Sequence, residues 1–269
     1  MECVHAVSAV RRMRGRTQSW LVSADDGHDY VVKFRDNPEG RRTLINEWVG
    51  TRLLQYLHIP CAPPAVVHFT SEFFLQFPDV VLLTADGPVR PATGVHFGSR
   101  YAGAADTAVF YFIPDKLLPN VLNIQDFVRV LAFDAWAGNA DARQCVFVRN
   151  RTHDPAISSE QCRRHFVAIM IDHGCICDGA SWTFVGRPGG GLYFRPAIYD
   201  SLNSDVFDRT IEHVAGIRRS VIDTAVAEMP CAWIEPDHDA LDTLIETLMR
   251  RQQCARRLAY DSRALASLS

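Results

Sequence analysis

Apolar positions divide the chain into two unlike parts. In the first part they come in short runs separated by turn-forming residues. One strand is expected within residues 4–12, a turn at Arg14-Gly15-Arg16-Thr17, and a second strand over residues 18–23. Asp25-Asp26-Gly27 signals a hairpin turn, because aspartate and glycine tolerate the positive φ angles that tight turns require. Residues 30–34 form a third strand. Asn37-Pro38-Glu39-Gly40 then breaks the pattern, and Leu44, Ile45, Trp48, Val49, Leu53, Leu54 and Leu57 recur at helical spacing. This helix is expected to stop before Pro60, since proline forces the preceding residue out of the helical region. Apolar segments at residues 65–69, 72–77 and 80–84 complete a mainly β section.

From residue 117 onward the pattern turns helical. Residues 124–133 form a strongly apolar helix that ends near Gly138. Two short strands follow, at residues 145–148 and 166–171, with a polar loop over 150–164 between them. After Trp182, Phe184 and the turn at Gly189-Gly190-Gly191, helices are expected over 205–216, 218–228 and 239–258. The chain therefore reads as α+β, with a β-rich N-terminal lobe over 1–93 and a hinge and helical C-terminal lobe over 94–269. Pro88, Pro91 and Gly94 make the junction irregular.

At 269 residues the chain is long enough to bury a full core, and 48% hydrophobic with 22% charged residues is ordinary for a globular protein. A net charge of −3 gives no electrostatic case for nucleic acid or an anionic membrane as main partner. No stretch is long and apolar enough to span a bilayer, and Met1-Glu2-Cys3-Val4-His5 lacks the basic start and apolar core of a signal peptide. The eight cysteines are irregularly spaced, with only Cys175-Ile176-Cys177 close together, a weak zinc signal. A reduced, cytoplasmic protein is expected.

Candidate chemistry starts at Asp172-His173-Gly174, which ends the buried-strand run Phe166-Val167-Ala168-Ile169-Met170-Ile171. A carboxylate delivered to a loop by a buried strand suits magnesium, which takes few protein carboxylates and keeps several waters. It equally suits a turn cap. Lys33 interrupts the apolar strand Tyr30-Val31-Val32-Lys33-Phe34, and Glu47 on the next helix is a fitting counter-ion. An edge-strand lysine facing solvent is the plainer alternative. Asp141, after Gly138-Asn139-Ala140, can take a hydroxyl proton, or simply belong to a turn. Asn139 and Gln144 offer neutral amide oxygens to a metal. Gly15-Arg16-Thr17-Gln18-Ser19 could cap phosphates with amides and hydroxyls, although one glycine makes neither a Walker motif nor a glycine-rich loop. Asp134 reads as structural, Asp178 as a weaker metal candidate, and His173 as a loop residue. Arg143 and Arg163-Arg164 could meet an acidic or phosphorylated partner, but surface arginines are usually just solvated. Lysine, glutamate, aspartate, aspartate, in that order, is the part list of a kinase.

With these residues in view, the chain resembles the HipA-like kinases over nearly its whole length. The resemblance rests on residues 15–19, Tyr30-Val31-Val32-Lys33-Phe34, Asn46-Glu47-Trp48, His96-Phe97-Gly98-Ser99-Arg100, residues 138–144 and Ile171-Asp172-His173-Gly174. It implies a bilobal protein-kinase-like fold, ATP and Mg2+ as cofactors, and a Ser/Thr hydroxyl of a protein as acceptor, this chain included. Lys33 and Asp141 would be the catalytic pair. Lys33, Glu47, Gly15, Thr17, Gln18 and Ser19 would serve the nucleotide, and Asp172 the metal, with residues 94–101 at the hinge. Better-known members carry a histidine and an asparagine shortly after the catalytic aspartate. Here the stretch is Ala142-Arg143-Gln144-Cys145-Val146, so Gln144 and Asn139 are the candidates for a second metal ligand. A pseudokinase or ATP-binding scaffold, and a small-molecule kinase of the same fold, are the alternative readings. Expected partners are ATP and an unidentified protein or small-molecule acceptor, with no membrane and no direct nucleic-acid binding.

Overall fold

Five strands of the first hundred residues close into a barrel. The computed structural model describes residues 3–103, 107–150, 165–185, 189–199 and 203–266. Strands β1 (Cys3–Arg12), β2 (Trp20–Ala24) and β3 (Asp29–Lys33) run antiparallel in sequence. Helix α1 (Arg42–Tyr56) crosses to β4 (Pro64–Phe69), which returns parallel to β1. Helix α2 (Ser71–Gln76) and a small hairpin of β5 (Leu82–Thr84) and β6 (Gly87–Val89) follow. Strand β7 (Gly94–Arg100) then pairs antiparallel with both β3 and β4.

Two expectations differ here. Residues 72–76 are helical rather than part of a β section. Thr70 accepts a hydrogen bond from the Phe73 amide at 3.2 Å, and Glu72 sits in the first turn, so the helix start is capped and its dipole matched. That places Phe73 and Phe74 on Phe69 (ring centroids 4.8 and 5.6 Å), burial that a two-residue strand period would have split between faces. The second difference is at the junction. Residues 94–100 are a barrel strand with partners on both sides, so the β part runs through Arg100.

His96 of β7 sits inside the barrel core, edge-on to Phe34 and Phe69. Its Nδ1 accepts from the Arg35 amide at 3.0 Å and its Nε2 donates to Ala92 O at 2.9 Å, which fixes the neutral tautomer. Burial lowers its pKa to about 4. Between that value and the ordinary histidine value of about 6.5, the unfolded chain binds the extra proton and the folded chain does not. Stability is therefore complete above about pH 6.5 and falls as the pH drops toward 4, by up to about 3 kcal/mol from this residue. His173, also buried and pushed well below its usual value by burial and by Arg143, adds in the same direction. Urea unfolding at pH 5 and pH 7 should show the difference, and His96→Gln should flatten part of it. An unchanged slope would remove the assignment.

The second part packs a three-stranded sheet, ordered β10-β9-β8, under helices. The strands are β8 (Thr107–Phe110), β9 (Gln144–Asn150) and β10 (Val167–Ile171). The helices are α3 (Asp126–Ala137), α4 (Ser204–Ala215), α5 (Arg219–Ala227), α6 (Cys231–Ile234), α7 (His238–Arg251) and α8 (Ala255–Ala266). The single helix expected over 239–258 is two, bent at Gln252–Cys254. There Gln252 donates to the carbonyls of Val214 and Ile217 at 3.2 and 2.6 Å, docking the bend on the end of α4. The polar loop expected after residue 150 lies outside the described residues.

Helix α1 belongs to both parts. Leu44, Ile45, Trp48, Leu53 and Leu54 pack into the same core as Phe127, Leu131, Phe133 and Trp136 of α3. Trp48 donates to Ala225 O at 2.9 Å and Trp136 to Leu248 O at 3.1 Å, so each large indole is satisfied as it is buried. This shared core fixes the barrel over the second sheet and sets a cleft between them. No helix among the described residues is long and apolar enough to cross a membrane.

Candidate active site

Lys33 ends β3 at the floor of that cleft, and its register partner is Phe97 of β7. The ammonium is nearly fully buried. It makes a hydrogen-bonded ion pair with Glu47 of α1 and a second with Asp172 Oδ1 at 2.7 Å. Glu47 also accepts from the His173 and Gly174 amides, both at 2.9 Å. One carboxylate thus holds the lysine and the loop that carries Asp172. Gly174 is a glycine for a local reason, since a Cβ there would stand 3.2 Å from Glu47 Oε1 and 3.4 Å from Lys33 Nζ.

Burial works against the charge on Lys33, but Asp172 and Glu47 outweigh it and raise its pKa. Burial likewise pushes Asp172 up, and the charge and hydrogen bond of Lys33 reverse this, holding it well below the usual carboxylate range. Both groups are charged at neutral pH.

The loop after α3 supplies the opposite wall. Gly138 takes a left-handed conformation (φ 67°) and ends the helix. Asn139 donates to Asp134 Oδ1 at 3.1 Å and accepts from the Asp141 amide at 3.1 Å. Ala140 donates to Cys175 O at 2.9 Å, tying this loop to the one after Asp172. Asp141 Oδ1 accepts from the Ala142 amide at 2.8 Å. Gln144 opens β9 opposite Ile171, which brings its Nε2 to Asp172 Oδ2 at 3.1 Å.

Arg143 is not the solvated arginine expected. It is fully buried, and it grips Asp134 through Nε (2.7 Å) and Nη2. Its Nη1 reaches Ile171 O at 3.2 Å and His173 Nδ1 at 2.8 Å. Asp134 is therefore the structural anchor expected of it, and Arg143 joins the Asp141 loop to the Asp172 loop. The sequence signal for this is that a carboxylate in the apolar stretch Val130-Leu131-Ala132-Phe133-Asp134-Ala135-Trp136 needs a cation, and Arg143 is close in sequence.

The first hairpin turn closes over the cleft. Met13 donates to Ser19 O at 2.8 Å and Gln18 to Gly15 O at 3.2 Å. Thr17 and Ser19 share a hydrogen bond at 3.0 Å. Gln18 is a correction. Its amide clamps Leu83 of β5 in both directions, at 2.8 and 2.6 Å, so its side chain is spent on the fold.

A cavity of about 260 Å³ gathers Gly15, Thr17, Ser19, Lys33, Glu47, Asp141, Gln144 and Asp172. Val31, Ala62, Phe97, Val109, Val146 and Ile171 give it apolar walls from both parts of the molecule. Asn139 is not among its lining residues, and both ends of its amide are committed, so it is not placed to hold a metal. Asp178 also lies outside this cavity and accepts from Thr183 Oγ1 at 2.5 Å and the Val185 amide at 3.3 Å, within its own loop. Of the remaining candidates, Asp172 and Asp141 offer carboxylate oxygens of the hard kind that divalent cations such as Mg2+ take, while Gln144 turns its amide nitrogen to Asp172.

The family described as HipA-like kinase matches residues 6–261. Among curated proteins, none matches. Solved structures similar to this chain include the Golgi casein kinase, at a TM-score of 0.47 and 12% identity, covering 98% of this chain and 73% of that one. The same kinase with Mn and ADP bound gives a TM-score of 0.46 at 12% identity, with the same coverage.

Proposed function

The chain belongs to the HipA-like kinase family, and we propose that it transfers the γ-phosphoryl group of ATP, with Mg2+, to a Ser/Thr hydroxyl of a protein. The observation that carries this is the convergence of Lys33, Glu47, Asp141 and Asp172, from four separate elements, at one cavity with apolar walls. Lys33 binds phosphate oxygens and Glu47 holds it in place. Gly15, Thr17 and Ser19 cover the phosphates. Asp141 takes the acceptor proton and orients the oxygen, a role worth roughly a hundredfold or more. Asp172 and Gln144 would hold Mg2+, which neutralises charge developing on the transferred group.

Label from the γ-phosphate should appear on protein when the wild type is given Mg-ATP and a cell extract, and not with Asp141→Asn. Label confined to small molecules would overturn the protein acceptor. Ser19 is the candidate for self-phosphorylation. It is only 4% exposed, so the turn has to open first. Intact mass after Mg-ATP reads this directly. One added phosphate on wild type that is missing from Ser19→Ala supports it, and none on wild type removes it.

A scaffold that binds nucleotide without turnover has one observation in its favour. The stretch after Asp141, Ala142-Arg143-Gln144-Cys145-Val146, has no asparagine such as better-known members carry there, and the Gln144 amide nitrogen rests on Asp172. That reading predicts binding unchanged by Asp141→Asn and no turnover in any variant.

A further inference from the structure

Four cationic and four carboxylate side chains line the nucleotide cavity: Arg14, Arg16, Lys33 and Arg100 against Glu39, Glu47, Asp141 and Asp172. Their pairing decides which positive charge is free for a ligand. Lys33 is shared between Glu47 and Asp172. Arg16 pairs with Glu39 at 2.9 Å, and Arg100 is held in place by a hydrogen bond with the His28 ring at 2.9 Å that leaves its charge unneutralised. Among the described lining residues, Arg14 is the cation with no partner. A triphosphate brings about four negative charges, and the committed lysine offers it little net attraction.

The turn that presents Arg14 is fixed rather than loose. It is closed by the Met13–Ser19 and Gln18–Gly15 backbone hydrogen bonds and tied to β5 through Gln18. Gly15 adopts φ 126°, a conformation that L side chains rarely take, and this sets Arg14 and Arg16 on either side of it at the cavity. A turn with one glycine cannot supply the amide-rich cradle of a glycine-rich loop.

We propose that Arg14, seconded by Arg16, is a polyphosphate ligand of this kinase, supplying by guanidinium charge what the turn lacks in backbone amides. Arg16 is mostly exposed and reaches the phosphates by exchanging Glu39 for them. Guanidinium groups suit this because their planar fork meets phosphate oxygens two at a time. The proposal rests on the nucleotide reading of the cavity.

The test is calorimetric binding of ATP, ADP and adenosine, with magnesium, to wild type, Arg14→Ala, Arg16→Ala and Arg14→Lys. Thermal melts check that each variant folds. ATP affinity should fall about tenfold in Arg14→Ala, less in Arg16→Ala, and partly recover in Arg14→Lys. Adenosine affinity should not move, and the loss for ATP should shrink as salt is raised. Unchanged ATP affinity overturns the proposal. An equal loss for ATP and adenosine also overturns it, because the turn would then act through shape. Failure of wild type to bind any of the three contradicts the nucleotide reading itself, and this proposal with it.

Discussion

Replacing Arg143 with methionine is expected to lower the unfolding free energy by about 3–5 kcal/mol. Arg143 and Asp134 have no exposed side-chain surface, and the pair is held by a two-toothed contact. Removing the cation leaves a carboxylate in an apolar helix, with Asn139 as its remaining side-chain donor. Burial then acts on Asp134 against the Asn139 hydrogen bond alone and pushes it toward the neutral form, which in turn loosens Asn139 and the Asp141 amide behind it. The double variant Arg143→Met with Asp134→Leu should regain most of the stability, since two apolar side chains of similar volume can replace a buried pair. It should not regain activity. Arg143 also fixes the Ile171 carbonyl and His173, and so sets the distance between the Asp141 and Asp172 loops. Urea unfolding and ATP turnover separate the two effects. A single variant as stable as wild type would show that the pair does not carry this load.

Asp141→Asn and Asp172→Asn are each expected to reduce ATP turnover by about a hundredfold or more, for different reasons. At Asp141 the amide keeps the size and the hydrogen bond from Ala142 but can no longer accept a proton. ATP affinity should hold while turnover falls. At Asp172 the change removes a negative charge beside Lys33 and the carboxylate proposed to hold the metal. Its signature is a higher magnesium requirement, which Asp141→Asn should not share.

Much of this architecture is legible in the chain. The hairpin around Asp25-Asp26-Gly27, the helix that carries Glu47 and the buried strand that delivers Asp172 follow from period and turn chemistry alone. Lys33 and Glu47 are predictable as partners because a lysine inside an apolar strand needs a carboxylate. Their meeting with Asp172 is not, because 139 positions separate Lys33 from Asp172 and only the packing of α1 against both parts joins them. Short apolar runs misled at residues 72–77, where a cap at Thr70 chose helix over strand. Polar side chains misled when both solvent and a buried partner could satisfy them. Gln18 and Asn139 look like ligand contacts in sequence and prove to be fasteners. Arg143 looks like surface and proves to be the most buried cation among the described residues.

ATP consumption by wild type with and without magnesium, alongside Asp141→Asn, reads phosphate transfer at this cavity. Magnesium-dependent turnover that the variant loses by about a hundredfold is the predicted result. Nucleotide binding with no turnover in either protein would contradict it and leave a scaffold built on a kinase fold.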